Sequence, residues 1–149
     1  MAVCTFFGHR DCPSTIRPRL SETLVELIER NGVDIFYVGN QGAFDAIVRS
    51  VLREMTQEYP HINYAVVLAY MPAKQDENYP QDYSDTMLPE GIEAVPKRFA
   101  ISWRNKWMLN HSEYVVTYIT HSWGGAAQFA ELAERRGQVV IKLGDLARQ

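Results

Sequence analysis

Apolar positions along the chain alternate between continuous runs and helical spacing. Val3 to Phe7 is an unbroken β-branched and aromatic run closed by Gly8, which predicts a short buried strand. After the Pro13-Ser14-Thr15 turn, Leu20, Leu24, Leu27 and Ile28 recur at helical spacing. Pro18 fits only the first turn of such a helix, and Asn31-Gly32 stops it. Ile35 to Val38 predicts a second strand, followed by the turn "GNQGAFD". Phe44, Ile47, Val48, Val51, Leu52 and Met55 form the next apolar helical face, which ends at Tyr59-Pro60.

Tyr64 to Tyr70, "YAVVLAY", is almost wholly apolar and predicts a third strand covered on both faces. Residues 71–96 break the rhythm. They hold many Asp, Gln and Asn residues and four prolines without a sustained period, which predicts a long loop, either a lid or subunit contact with Tyr79 and Tyr83 able to cover a base, or a tolerated surface insertion. A helix follows through Ser102 to His111, then a strand from Tyr114 to Ile119 and the turn "THSWGGAAQF". Ala126, Phe129, Ala130 and Ala133 give the last helical face, stopped by Gly137 before a strand over Val139 to Leu143. The alternation predicts one α/β domain over residues 1–149 with a mostly parallel sheet of about five strands.

Composition narrows the class. The chain has 149 residues, 46% hydrophobic and 22% charged, which suits a globular domain with a real core. No apolar run reaches membrane-spanning length and the start lacks a signal-peptide pattern, so a cytoplasmic protein without a membrane partner is expected. The net charge of −3 makes nucleic acid an unlikely partner, although Lys97, Arg98, Arg104 and Lys106 form a local basic cluster. Two cysteines and four scattered histidines show no ligand spacing, so neither a metal nor a cofactor is expected.

Three predicted strands end in glycine-bearing polar turns: Gly8-His9-Arg10, Gly39-Asn40-Gln41-Gly42, and Ser122-Trp123-Gly124-Gly125. In a parallel sheet these turns share one edge, where ligands bind. Two of them run straight into helices, whose free N–H groups favour an anion. The Gly-x-Gly-x-x-Gly fingerprint, a Gly-Lys-Ser/Thr phosphate loop and a Gly-x-Ser-x-Gly elbow are all missing. A phosphate-bearing ligand is expected without the ordinary dinucleotide, NTPase or serine-hydrolase pattern.

The segments "CTFFGHR", "GNQGAFDAIV", "RNKWMLNHSEYVVTYI" and "WGGAAQFAELAERRGQVVI" resemble, in order and spacing, the SLOG superfamily of Smf/DprA and Lonely Guy proteins. The nearest likeness is a bacterial branch that opens with Phe-Thr-Gly-His-Arg, with Phe7 here in place of Thr. Gly8, His9 and Arg10 match its first motif, and Gly39, Gly42 and Asp45 its second. Arg104, Asn105 and Met108 match the third, and Gly124, Gly125 and Ala127 the fourth, with Ala126 where that branch usually has Thr.

The resemblance implies a doubly wound, Rossmann-like sheet with helices on both faces and a nucleotide or nucleotide-derived ligand, bound by a sensor or a nucleotide-processing protein that forms a homo-oligomer. Asn40, Ser122 and Ala126 join the motif residues as candidate contacts. In the Lonely Guy frame, Arg104 and Glu131 take the arginine and acid positions of a phosphoribohydrolase acting on nucleoside 5′-monophosphates, with Ala127 and Gln128 departing from the family's Gly and Thr. In the DprA frame the chain is a DNA-associated module. Plainer roles stand beside these: Asp45 as a partner of the helix dipole, Glu131 as a solvated helix residue, and Trp103 and Trp107 as core or dimer interface.

Overall fold

The computed structural model describes residues 2–70 and 85–144. Six strands form one parallel sheet: β1 (Ala2–Gly8), β2 (Val33–Val38), β3 (Asn63–Val67), β4 (Thr86–Met87), β5 (Tyr114–Tyr118) and β6 (Val139–Gly144), in the order β4-β3-β2-β1-β5-β6. Four helices accompany them: α1 (Arg17–Asn31), α2 (Gly42–Glu58), α3 (Lys97–Asn110) and α4 (Gly125–Arg135). The fold is the expected Rossmann-like α/β sheet, with six strands rather than five.

Strand alternation divides the core into two layers. Cys4, Phe6, Phe36, Val66 and Val116 pack with the apolar faces of α1 and α2. Phe7, Val67 and Val115 point the other way, against Met108 and Leu109 of α3 and Phe129 and Ala133 of α4. Phe6 stacks on Phe36 with ring centroids 6.2 Å apart, and Phe7 on Phe129 at 5.6 Å. Each such buried ring contributes about 2–3 kcal/mol of apolar transfer free energy. The near-continuous apolar runs of β1 and β5 follow from this double coverage.

The additional strand, β4, lies in the proline-rich region expected to be a loop. Two residues carry no readable alternation, and tertiary contacts make the strand. Val66 donates its N–H to the Asp85 carbonyl at 2.6 Å, and Leu68 to the Met87 carbonyl at 2.9 Å. The Asp85 carboxylate receives Arg49 at 3.2 and 3.3 Å and the Tyr64 hydroxyl at 3.0 Å, which fixes the entry to β4. Tyr79 and Tyr83 of the expected lid lie outside the described residues. Helix α3 starts at Lys97, five residues before the apolar period becomes readable, because Pro96 caps it and Lys97, Arg98 and Phe99 of its first turn are exposed. Among the described residues no helix is long and apolar enough to cross a membrane.

The strand order reverses between β1 and β5. The chain leaves β1 toward β2 and leaves β5 toward β6, so the two following turns diverge and open a crevice at that edge.

Candidate functional site

A cleft of about 390 Å³ fills this crevice. Its walls are the turn after β1, the starts of α2 and α4, the turn after β5, and one face of α3. Of the residues expected to meet a ligand, Gly8, His9, Arg10, Asp45, Arg104, Asn105, Gly124, Gly125 and Ala126 line it. Gly39, Asn40, Gly42 and Ser122 do not.

The glycines play different parts. A Cβ on Gly8 would collide with the Phe44 ring, so this glycine admits a core side chain rather than a ligand. Gly42 has φ +89° and its missing Cβ would lie 2.7 Å from Arg10 Cα, which lets the two turns touch. That contact is secured by the Ala43 N–H, which donates to the Arg10 carbonyl at 3.0 Å. A Cβ on Gly39 would sit 2.8 Å from Asp45 Oδ2 and 3.2 Å from Arg104 Cζ. Only at Gly124 and Gly125, among the cleft glycines, is the space beside the backbone open. Gly124 holds φ +98° as the residue before α4, a conformation that strains any other residue. Among the cleft glycines described, room for close backbone approach is thus found at the α4 start.

Arg104 is 2% exposed and forms part of the cleft wall. Its guanidinium is fixed from three sides. Nε donates to Asn105 Oδ1 at 2.9 Å, and Nη1 donates to Asn40 Oδ1 at 3.2 Å and the Val67 carbonyl at 2.9 Å. Asn40 and Asn105 thus orient Arg104, and Nη2 makes no hydrogen bond to a described residue. Asp45, 8% exposed, reaches back to accept the Gln41 N–H at 2.9 Å and closes the start of α2. Burial pushes its carboxyl up to about 6, against the opposing pull of the Gln41 N–H and the Arg104 charge. Burial likewise lowers the pKa of Arg104 from its usual value, and Asp45 counters it.

The other wall is aromatic. His9, His121 and Trp123 stack in a row, with centroids 3.6 Å apart between the histidines and 3.8 Å between His121 and Trp123. Trp123 ends the row and is 69% exposed. The His121 backbone N–H is placed to donate to His9 Nε2 at 3.4 Å. Burial first, and the His121 charge second, lower the His9 pKa. His121 and Trp123 stand outside the expected ligand contacts, although Trp123 belongs to the third glycine turn. The available signal was a tryptophan set between a polar turn and the Gly-Gly pair that opens a helix.

Arg104 and Glu131 are not brought together. Glu131 lies 68% exposed on α4, 3.9 Å from Arg135, and lines a second cavity of about 320 Å³ with Ser122, Glu134 and Lys142. The basic cluster also divides. Lys97 and Arg98 are exposed at the start of α3, Arg104 is inside, and Lys106 is exposed two turns beyond Arg98. Trp107 packs in the second core layer, edge-on to Tyr37 at 5.1 Å. Among the described residues no cluster of His, Cys, Asp and Glu could hold a metal ion.

No protein-family model matches the sequence, and no curated protein matches it. Solved structures do match the fold. DNA processing protein A (DprA) from Streptococcus pneumoniae superposes with a TM-score of 0.70 at 14% identity, over 95% of this chain and 50% of that one. DprA from Helicobacter pylori, described for its single-stranded DNA binding mode, gives 0.59 at 14% identity over 95% and 64%. The fold is similar to that of part of DprA. The chain spans about half to two thirds of the length of these relatives. At fold level this agrees with the SLOG resemblance. It also corrects the expectation that nucleic acid is an unlikely partner: a protein of this fold binds single-stranded DNA, so a net charge of −3 does not set that partner aside.

Proposed function

We propose that the chain is a single-stranded nucleic-acid binding module that seats one nucleotide in the cleft between β1 and β5. The observation that carries this reading is Trp123, a largely exposed ring held flat by His121 and His9 beside the open start of α4. An unpaired base stacks on the free face of Trp123, a contact worth about 1–3 kcal/mol in such proteins. The phosphate meets the N–H groups of Gly125 and Ala126, with Arg104 as the enclosed cation. The likeness to Helicobacter pylori DprA supports the choice of a strand over a free nucleotide. Lys97 and Arg98, exposed beside the cleft-facing side of α3, suit the phosphates that continue the strand.

A free nucleotide or nucleotide derivative is the second reading, favoured by a cleft volume of about 390 Å³, which suits one small ligand. Fluorescence anisotropy with a labelled oligothymidylate separates the two. Strand binding predicts affinity that rises with oligonucleotide length and falls steeply with salt. Equal competition by mononucleotide would favour the small ligand instead, and no binding by either would sink both. Release of free base from nucleoside 5′-monophosphates would point to the phosphoribohydrolase; the separation of Glu131 from Arg104 argues against it.

A further inference from the structure

Asp45 and Arg104 come together at the wall of the cleft beside Gly39, whose lack of a side chain leaves room for both. A Cβ at Gly39 would touch both, at 2.8 Å from the carboxylate and 3.2 Å from the guanidinium. Both side chains are more than nine-tenths buried, and both line the cleft. Yet no ion pair joins them among the described residues; Asp45 spends one oxygen on the Gln41 N–H, and Arg104 is held by Asn40, Asn105 and Val67. The enclosed cation that would meet a phosphate therefore has beside it a buried carboxylate with which it forms no direct ion pair.

An arriving phosphate makes this arrangement electrostatically unbalanced. Arg104 and ionised Asp45 sum to zero charge, and a phosphodiester brings the buried set to −1. In a wall with little water, the repulsion between the two anions is strong. Adding one proton from solvent to the carboxylate restores neutrality and leaves the guanidinium to the phosphate. We propose that phosphate binding in this cleft takes up one proton, which is carried by Asp45. The proposal rests on the nucleic-acid reading of the cleft and adds its regulation: the site is an acid-favoured phosphate receptor. The other titratable or charged groups on its walls are His9, Arg10 and Asp11 after β1, His121 after β5, and Arg104 itself, which also feels Tyr70. The tendency of the Asp45 carboxyl to hold its proton up to about pH 6 without ligand is consistent with this and puts the response near neutrality.

The test uses a short oligothymidylate with hydroxyl ends, which carries no group that titrates near neutrality. Its affinity for the wild-type protein should improve about tenfold from about pH 7.5 to about pH 5.5, since one proton gives at most tenfold per unit. Asp45→Asn, whose amide oxygen can still accept the Gln41 N–H, should bind at the tight limit across that range. His9→Phe, which keeps a stacking ring and cannot titrate, should retain the wild-type slope. Calorimetry of the wild type in two buffers of different ionisation enthalpy should show close to one proton taken up per strand, a readout independent of any variant. Binding with the same slope in Asp45→Asn, or a slope that vanishes in His9→Phe, overturns the proposal while leaving the nucleic-acid reading intact. Absence of binding by wild type and Asp45→Asn at every pH overturns both.

Discussion

Trp123 stacks on His121 with ring centroids 3.8 Å apart and an interplanar angle of 20°. The opposite face of the indole has no ring partner among the described residues, and the side chain is 69% exposed. An exposed tryptophan normally gains by folding onto apolar surface. Here it is kept on the histidine row at the edge of a polar cleft, which is the geometry of a platform.

Replacing Trp123 by Ala should therefore weaken oligothymidylate binding by about tenfold or more, in line with about 1–3 kcal/mol per stacked base. Because the ring is mostly exposed, thermal stability should stay within about 0.5 kcal/mol of wild type. Trp123→Phe should recover part of the affinity. Anisotropy and thermal unfolding read the two quantities, and a large stability loss with unchanged affinity would assign Trp123 to packing instead.

The sheet was readable because its central strands β1 and β5 are buried on both faces and its helices carry clear apolar stripes. Phe6 and Phe7, facing opposite layers, give β1 its continuous run, and Leu20, Leu24, Leu27 and Ile28 give α1 its spacing. The two-residue β4 was not readable, since Asp85, Arg49 and Tyr64 hold it through contacts distant in sequence. The site was readable as an edge of the sheet but not as a division of labour. Three glycine turns look alike in sequence, yet Gly8 makes room for Phe44 and Gly39 for Asp45 and Arg104, while Gly125 faces open space. Likewise, the buried Arg104 differs from the exposed Lys97 and Arg98 chiefly through partners distant in sequence, Asn40 in the turn after β2 and the Val67 carbonyl of β3.

That division of labour predicts opposite phenotypes for two glycines. Gly8→Ala forces the Phe44 ring or β1 to move, and should cost about 1–3 kcal/mol of stability as overpacking does. Gly125→Val adds bulk where no atom lies within 4 Å, so the fold should tolerate it, apart from a helix-propensity effect of a few tenths of a kcal/mol. Its side chain would crowd the α4 N–H groups and should abolish phosphate binding. Chemical denaturation and anisotropy on both variants check the contrast, and wild-type affinity in folded Gly125→Val would remove the phosphate from the α4 start.

His9 supplies a pH signature. Its folded-state pKa is depressed, so the unfolded chain binds the proton more readily than the folded one. The contribution of His9 is therefore present above the unfolded value near 6.5 and is lost as pH falls below it. Asp45 works in the opposite sense: its carboxyl, raised to about 6 from 3.8, favours the folded state below about pH 4 and loses that contribution as pH rises through about 6. Comparing unfolding free energies of wild type and His9→Phe across about pH 5 to 7.5 isolates the first effect. The variant should lose less stability on acidification, and parallel curves would show that His9 does not titrate as its burial implies.

The edge of the sheet gives the last test. Asp85 accepts from Arg49 through both oxygens, from the Tyr64 hydroxyl at 3.0 Å, and lies 3.7 Å from Arg53. Its carboxylate is 16% exposed, and the Arg49 side chain opposite is 20% exposed, so solvent screens the pair only in part. Asp85→Ala leaves Arg49 and Tyr64 without their shared acceptor and should cost about 1–3 kcal/mol, more than a surface ion pair would. The loss should be local first. The Val66 and Leu68 N–H groups, which donate to the carbonyls of Asp85 and Met87, should exchange with solvent faster while the β1–β5 ladder stays protected. Oligothymidylate affinity should change little, because β4 lies at the far edge of the sheet from the β1–β5 crevice. If Asp85→Ala left exchange at Val66 and Leu68 unchanged, backbone pairing alone would be holding β4, and the carboxylate cluster would have no part in anchoring it.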